Sequence, residues 1–236
     1  MNIQYIGHSG FSVELDHNIL LFDYFEGTIP KFPHGKHIYV FVSHFHHDHF
    51  NMEIFRLLDK YASITYILSY DIAKKFKEKF FLRHGISKEV YDRIIFLPER
   101  TTRRIGDLEV QTFHSTDEGV AFLIQAENKR IYHAGDLQWW TWPGESAQEY
   151  EEMTAAFQNE IASIPSHPID AAFLVLDPRQ EDNFYMGFDY FMRHTNTKTA
   201  YPMHFWKDTS VIDRLLAMDI SEAYREKIVG KEFYQI

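Results

Sequence analysis

The chain has 236 residues, 45% of them hydrophobic with 21 Phe and 14 Tyr, enough to build one globular domain over residues 1–236 with a substantial core. Its 24 Lys and Arg stand against 34 Asp and Glu, and the resulting net charge of −10 disfavours a long surface that tracks nucleic-acid phosphates. Cysteine is absent, which excludes disulfides, thiolate ligands and thiol nucleophiles; no run approaches the roughly 18 apolar residues of a membrane span, so a soluble, cytoplasmic protein is expected.

The first third reads as β-structure. Asn2 to Ile6, Phe11 to Leu15 and Ile19 to Asp23 are apolar runs separated by the turn signals Gly7-His8-Ser9-Gly10 and Asp16-His17-Asn18, a pattern that predicts an antiparallel meander. Thr28 to His37 is a loop punctuated by Pro and Gly, and Ile38 to Val42 is a buried strand. Directly after it comes Ser43-His44-Phe45-His46-His47-Asp48-His49. His44 and His46, two positions apart, project to the same side of an extended chain and suit one divalent cation; Asp48 and His49 face a second position. The spacing fits two ions about 3.5–4 Å apart sharing a water. The competing reading is a His-rich tract that binds metal adventitiously.

Asn51 is expected to cap a helix with Ile54, Leu57, Leu58 and Tyr61 on one face, and Asp71 a second with Ile72, Phe76 and Phe80 inward. Lys74, Lys75, Lys77 and Lys79 on its outer side suit a solvated face. Strands follow at Ile94 to Leu97, Thr101 to Ile105, Leu108 to His114, Val120 to Ala126 and Arg130 to Ala134. Trp139, Trp140 and Trp142 predict a satellite hydrophobic cluster or a pocket wall. Gly144 to Ile164 is an amphipathic helix, Asp170 to Leu176 a strand, Gly187 to His194 a short helix, Thr199 to His204 a strand and Val211 to Met218 a helix. Arg179, in Asp177-Pro178-Arg179, suits either the grip of a phosphate or carboxylate or a structural ion pair. Periodicity alone gives α/β or α+β.

His44-x-His46-x-Asp48-His49, with His114, Asp136 in Ala134-Gly135-Asp136 and His204 in Met203-His204-Phe205 following in order, resembles the signature of the metallo-β-lactamase fold superfamily of metal-dependent hydrolases. Gly7-His8-Ser9-Gly10-Phe11 and His114-Ser115-Thr116-Asp117 look most like small bacterial hydrolases of the ascorbate-6-phosphate lactonase type. The resemblance implies a four-layer αββα sandwich. It implies that His44, His46 and His114 bind one metal, that Asp48, His49 and His204 bind another, and that Asp136 bridges them, while Asp23 supports the metal loop from behind. Two zinc ions are the first choice, with manganese or iron as alternatives. The implied activity is a dinuclear-metal-bound hydroxide cleaving a lactone, phosphoester or phosphodiester in a small, anionic metabolite, with Asp48 or Asp136 orienting the nucleophile. His8 is a proton donor to the leaving group or a plain turn residue. A nucleic-acid-processing hydrolase and a di-iron oxidoreductase of the same fold are the alternatives. The acidic chain shows no basic stripe, no nucleic-acid or membrane partner is expected, and a homodimer is in keeping with many relatives.

Overall fold

The structure is a computed structural model that describes residues 1–234. Strands β1 (Asn2–Gly7), β2 (Gly10–Glu14) and β3 (Asn18–Phe22) form the expected meander, with Phe11 opposite Phe22. The sheet continues through β4 (His37–Val42), β5 (Ile64–Ser69) and β6 (Ile95–Leu97), all parallel, to give the order β1-β2-β3-β4-β5-β6. A second sheet holds β7 (Thr102–Ile105), β8 (Leu108–His114), β9 (Val120–Ala126) and β10 (Lys129–His133) as antiparallel neighbours. It ends in β11 (Ala171–Val175) and β12 (Ala200–Met203), which run parallel to β10.

Alternation along the strands decides which face each side chain fills. Phe11, Val13, Phe22, Tyr39 and Phe41 of the first sheet belong to the core shared with the second, while Ile19, Leu21, Ile38, Val40 and Val42 turn to a separate cluster on the other side. Phe22 stacks on His133 at 4.9 Å and Phe41 meets Phe122 at 5.2 Å, so aromatic rings fill the space between the sheets. Each such fully buried ring contributes about 1.5–3 kcal/mol relative to exposure. A 3₁₀ helix (Met52–Asp59) with α1 (Tyr70–Lys75), α2 (Glu78–Arg83) and α3 (Lys88–Tyr91) supplies the outer cluster. On the far side α4 (Ala147–Ala162), α5 (Met186–His194) and α6 (Ser210–Ala217) pack on the second sheet's core, with Phe191 4.7 Å from Tyr132. The result is the four-layer αββα arrangement.

Several boundaries depart from the sequence reading. The segment after Asn51 winds as 3₁₀ rather than α-helix, burying Ile54, Phe55 and Leu57 and leaving Leu58 exposed. Ser69, not Asp71, is the residue preceding α1, and Phe76, in extended conformation, breaks the expected second helix in two. Asp71 instead accepts a hydrogen bond from the Phe45 amide at 2.9 Å and so clamps the metal loop. Ser146, in a reciprocal capping box with Glu149, starts α4 later than expected. Among the described residues no helix is long and apolar enough to cross a membrane. Within the first sheet β1, β3 and β4 run the same way, as do β8, β10, β11 and β12 within the second, and the approach of His44, Asp136 and His204 puts the loops after β4, β10 and β12 on one rim of the sandwich.

Candidate metal centre

Asp23 is the root of the centre. It sits just past β3 with a positive φ of 38°, is 1% exposed, and accepts the Ser43 amide at 2.7 Å and the Ser43 hydroxyl at 2.5 Å. The same carboxylate accepts His49 Nδ1–H at 2.8 Å. Since the Ser43 hydroxyl spends its one hydrogen on Asp23, it is an acceptor toward His44 Nδ1, 2.9 Å away. At the end of β11, Asp177 likewise accepts His204 Nδ1–H at 2.9 Å. Three imidazoles therefore have the Nδ1 nitrogen occupied and present Nε2 inward, the tautomer that carboxylate support imposes on metal-ligating histidines.

Those Nε2 atoms meet at Asp136, in the turn after β10. His44 Nε2 lies 3.5 Å from Asp136 Oδ2, and His49 and His204 Nε2 lie 3.1 and 3.4 Å from Asp136 Oδ1. Gly135, with φ 53°, brings this turn so close to the metal loop that a Cβ would stand 2.7 Å from the Ser43 Cβ. Gly119, with φ 71°, allows the β8–β9 loop to approach within 2.0 Å of the Ser43 carbonyl by the same measure. His8 enters from the β1–β2 turn with φ 52° and sets Nε2 3.5 Å from Asp48 Oδ2, its ring centre 4.1 Å from that of His204.

Two donor sets result: His8, Asp48, His49 and His204, and His44, His46, Asp117 and Asp136, each with ligand atoms within 4.8 Å of one another. Within them His8 Nε2, His49 Nε2, His204 Nε2 and Asp136 Oδ1 are buried and lack a hydrogen-bond partner. Leaving such groups unpaired costs about 1–3 kcal/mol each, so a cluster of four calls for a ligand common to them. The electrostatics agree. Burial pushes the His8 and His44 imidazoles down, to about 4 and about 3, which keeps them neutral and able to coordinate. At His49 burial again opposes charge, but Asp136 and Asp23 outweigh it and raise its pKa well above the ordinary value; the two carboxylates call for positive charge at this point, which a cation facing Asp136 would supply in place of a proton on Nε2. Burial and the neighbouring Asp136 push the Asp117 carboxyl up, a repulsion that a cation between them relieves. The donors fit a pair of divalent cations.

The structure brings together His44, His46, Asp48, His49, Asp136 and His204 of the predicted residues, and adds His8 and Asp117. It does not bring in His114. The His114 amide is held by the buried carboxylate of Glu160 on α4 at 3.1 Å, and its half-exposed ring pairs with Glu99. The chain then turns through Ser115, whose hydroxyl accepts the Asp117 amide at 3.2 Å, and delivers Asp117 Oδ2 to within 3.5 Å of His46 Nδ1. By this geometry Asp117, and not the expected His114, is the residue of this loop whose side chain lies in the cluster. The neutral state of His8 suits a ligand better than a proton donor, one of the two roles weighed for it beside that of a plain turn residue. Asp177 was missed too; its signal was an Asp two residues past a strand and beside Pro178, much as Asp23 stands one residue past β3.

The cluster opens into a cavity of about 320 Å³ walled by Trp140, Trp142, Thr116, Met153 and Arg179. Trp140 and Trp142 stack at 5.5 Å, and the Trp140 indole donates to the Asp136 carbonyl at 3.1 Å, so these two wall the pocket. Trp139 instead packs on Phe157 of α4 and Tyr190 of α5 as a satellite cluster. A larger cavity of about 880 Å³ lies between the Tyr24 to His34 loop and the 3₁₀ helix, but none of the candidate ligands lines it.

Residues 2–145 match the model of a family described as a beta-lactamase superfamily domain. A metal-dependent hydrolase of Alkaliphilus metalliredigens is 30% identical over 151 residues, covering 58% of this chain and 63% of that protein, just under two thirds of the relative's length. Another metal-dependent hydrolase, from Nanoarchaeum equitans, is 27% identical over 186 residues, covering 75% of this chain and 78% of its own. In fold the chain is similar to CmlA, a diiron β-hydroxylase from Streptomyces venezuelae, with TM-score 0.55 and 13% identity over 86% of this chain and 44% of that one. The sandwich, the metal loop and the family match agree: the chain belongs to the beta-lactamase superfamily domain family.

Proposed function

We propose that the protein is a metal-dependent hydrolase that uses two divalent cations to cleave an ester-like bond, in a lactone, phosphoester or phosphodiester, of a small molecule. The observation that carries this reading is the pair of adjoining donor sets meeting at Asp136, with four buried ligand atoms that no protein group satisfies. When bound, such a pair of cations supplies an activated water at neutral pH and a Lewis acid for the scissile group. The protein's own groups do the rest. Asp136 turns one oxygen to His44 and the other to His49 and His204, which makes it the carboxylate common to both halves. Asp48, held low by His8 and His49 against the effect of burial, stays an acceptor facing the cavity and orients the attacking water. Trp140 and Trp142 exclude bulk solvent, and a cavity of about 320 Å³ suits a small substrate rather than a polymer.

Zinc is the first choice of metal. The carboxylate Asp117 where an imidazole was expected makes that half two nitrogens and two oxygens, a set that serves manganese or iron as well. It also favours, as a second reading, di-iron oxidation chemistry, which bound redox-active iron would establish. The test is a screen of zinc- and manganese-loaded protein against lactones, phosphomonoesters, phosphodiesters and thioesters. Turnover of one class is expected, with its loss in a His44→Ala, His46→Ala double variant that keeps its circular dichroism. Turnover by that variant would overturn the assignment.

A further inference from the structure

Arg179 stands at the mouth of the centre in an unusual setting. Among the described residues lining the cavity it is the one Lys or Arg, facing a wall that also carries Asp48, Asp117 and Asp136. Its segment, the 3₁₀ turn Pro178–Asn183, is rigidly seated. Asp177 accepts the Arg179 amide at 2.9 Å, and the buried neighbour Gln180 donates to the Trp139 carbonyl at 2.8 Å and accepts from Gln138 at 2.9 Å. Within this turn Glu181 takes φ 51° and ψ −116°, a strained conformation of the kind that surrounding contacts must enforce.

The guanidinium itself is committed on one edge only. Nε lies 3.0 and 2.9 Å from the two Asp177 oxygens and Nη2 pairs with the same carboxylate, whereas among the described residues Nη1 makes no hydrogen bond. Two indoles flank it, with the guanidinium carbon over the Trp206 ring at 5.0 Å and over the Trp142 ring at 5.9 Å. The side chain is half exposed and lines the cavity. A guanidinium fixed by a carboxylate on one edge, flanked by two indoles and with donors left over on the other edge suits a carboxylate or phosphate. A purely structural ion pair needs neither the cavity nor the free edge.

We propose that Arg179 is the substrate-anchoring residue, binding a carboxylate or phosphate monoester group of the substrate through its free edge while the labile bond lies over the metal centre. The proposal rests on the hydrolase reading and adds the substrate class: anionic esters or lactones whose charge stands next to the reacting group. The binding energy comes from a part of the substrate that does not react, so Arg179 sets specificity.

The test uses the zinc-loaded full chain with Arg179→Gln, which keeps a hydrogen bond to Asp177, and Arg179→Lys, which keeps the charge. Bound zinc and circular dichroism verify that His204 and its support are intact. In calorimetric titration with phenyl phosphate and with succinate, the wild type binds at least one of them, Arg179→Gln weakens that binding about 10–100-fold, and Arg179→Lys recovers part of it. In parallel, mono(4-nitrophenyl) succinate and 4-nitrophenyl acetate are compared as substrates, and the wild type's kcat/KM preference for the charged ester falls at least 10-fold in Arg179→Gln. Equal affinity of wild type and Arg179→Gln for both anions, or no binding of either, overturns the proposal. Binding that depends on Arg179 without hydrolysis of any ester instead counts against the hydrolase reading and leaves the anchoring role standing.

Discussion

Asp23→Asn keeps the shape of a buried side chain and removes the charge that holds two histidines in place. In the native chain one oxygen accepts the Ser43 amide, and the other accepts both the Ser43 hydroxyl and His49 Nδ1–H. With the amide oxygen kept toward the Ser43 N–H, the new NH₂ faces two donors. Each charged hydrogen bond lost or reversed is worth about 1.5–3 kcal/mol, so the two together cost about 3–6 kcal/mol before relaxation. Relaxation has a functional consequence: His49 escapes by moving its proton from Nδ1 to Nε2, which occupies the lone pair aimed at the Asp136 side of the centre. The support of a ligating imidazole is worth roughly 10–100-fold in metal affinity, about 1.4–2.8 kcal/mol. Competition titration of zinc against a chromophoric chelator, run on wild type and Asp23→Asn, reads that loss directly. If Asp23→Asn bound both ions as tightly as wild type, the claim that Asp23 sets the tautomer of His49 would be wrong.

Asp117→Asn is expected to weaken one of the two metal sites at least 10-fold in the same titration, while His114→Ala, whose half-exposed ring pairs with Glu99, leaves both intact; the reverse ranking would restore His114 as the ligand. Gly135→Ala forces a side chain into a φ of 53° and against Ser43 and the Val120 carbonyl; at about 1–2 kcal/mol for the left-handed backbone and about 1–3 for overpacking, Tm should fall roughly 4–20 °C by differential scanning calorimetry. An unchanged Tm would refute the close approach. Asp170, far from the centre, accepts Lys198 at 2.8 Å and the Arg130 amide at 2.9 Å; burial opposes its charge, but these partners hold its pKa below the ordinary 3.8. A carboxylate depressed in the fold stabilises above its unfolded-chain value and loses that stability as pH falls through the folded value. Asp170→Asn should therefore cost about 1–2 kcal/mol in urea titrations at neutral pH, a gap that shrinks progressively as the pH falls below 3.8; a gap constant with pH would contradict it.

The parts of this structure visible in the sequence are those written locally. The continuous β-branched and aromatic run Ile38 to Val42 gave a buried strand, and His44, His46, Asp48 and His49 sit in the loop that leaves it. Asp136 and His204 could be found because each closes an apolar run. His114 closes one as well, yet its fate depends on Glu160, 46 residues away on a helix whose buried carboxylate holds the His114 amide. No local pattern carries that information. The same holds for Arg179, whose ion pair and role at the cavity mouth coexist, and for the tryptophans, which divide between pocket wall and helix packing according to where Gln180 pins their loop. The break at Phe76 is likewise a tertiary choice: that ring stacks on Phe80 at 4.3 Å and leaves the helical path to do so.

The central claim is that the rim of the sandwich holds two cations. It is tested most directly by counting metal in protein loaded with zinc and dialysed against metal-free buffer, by inductively coupled plasma mass spectrometry. Two ions per chain are expected. One ion or none would contradict the account, whatever the fold.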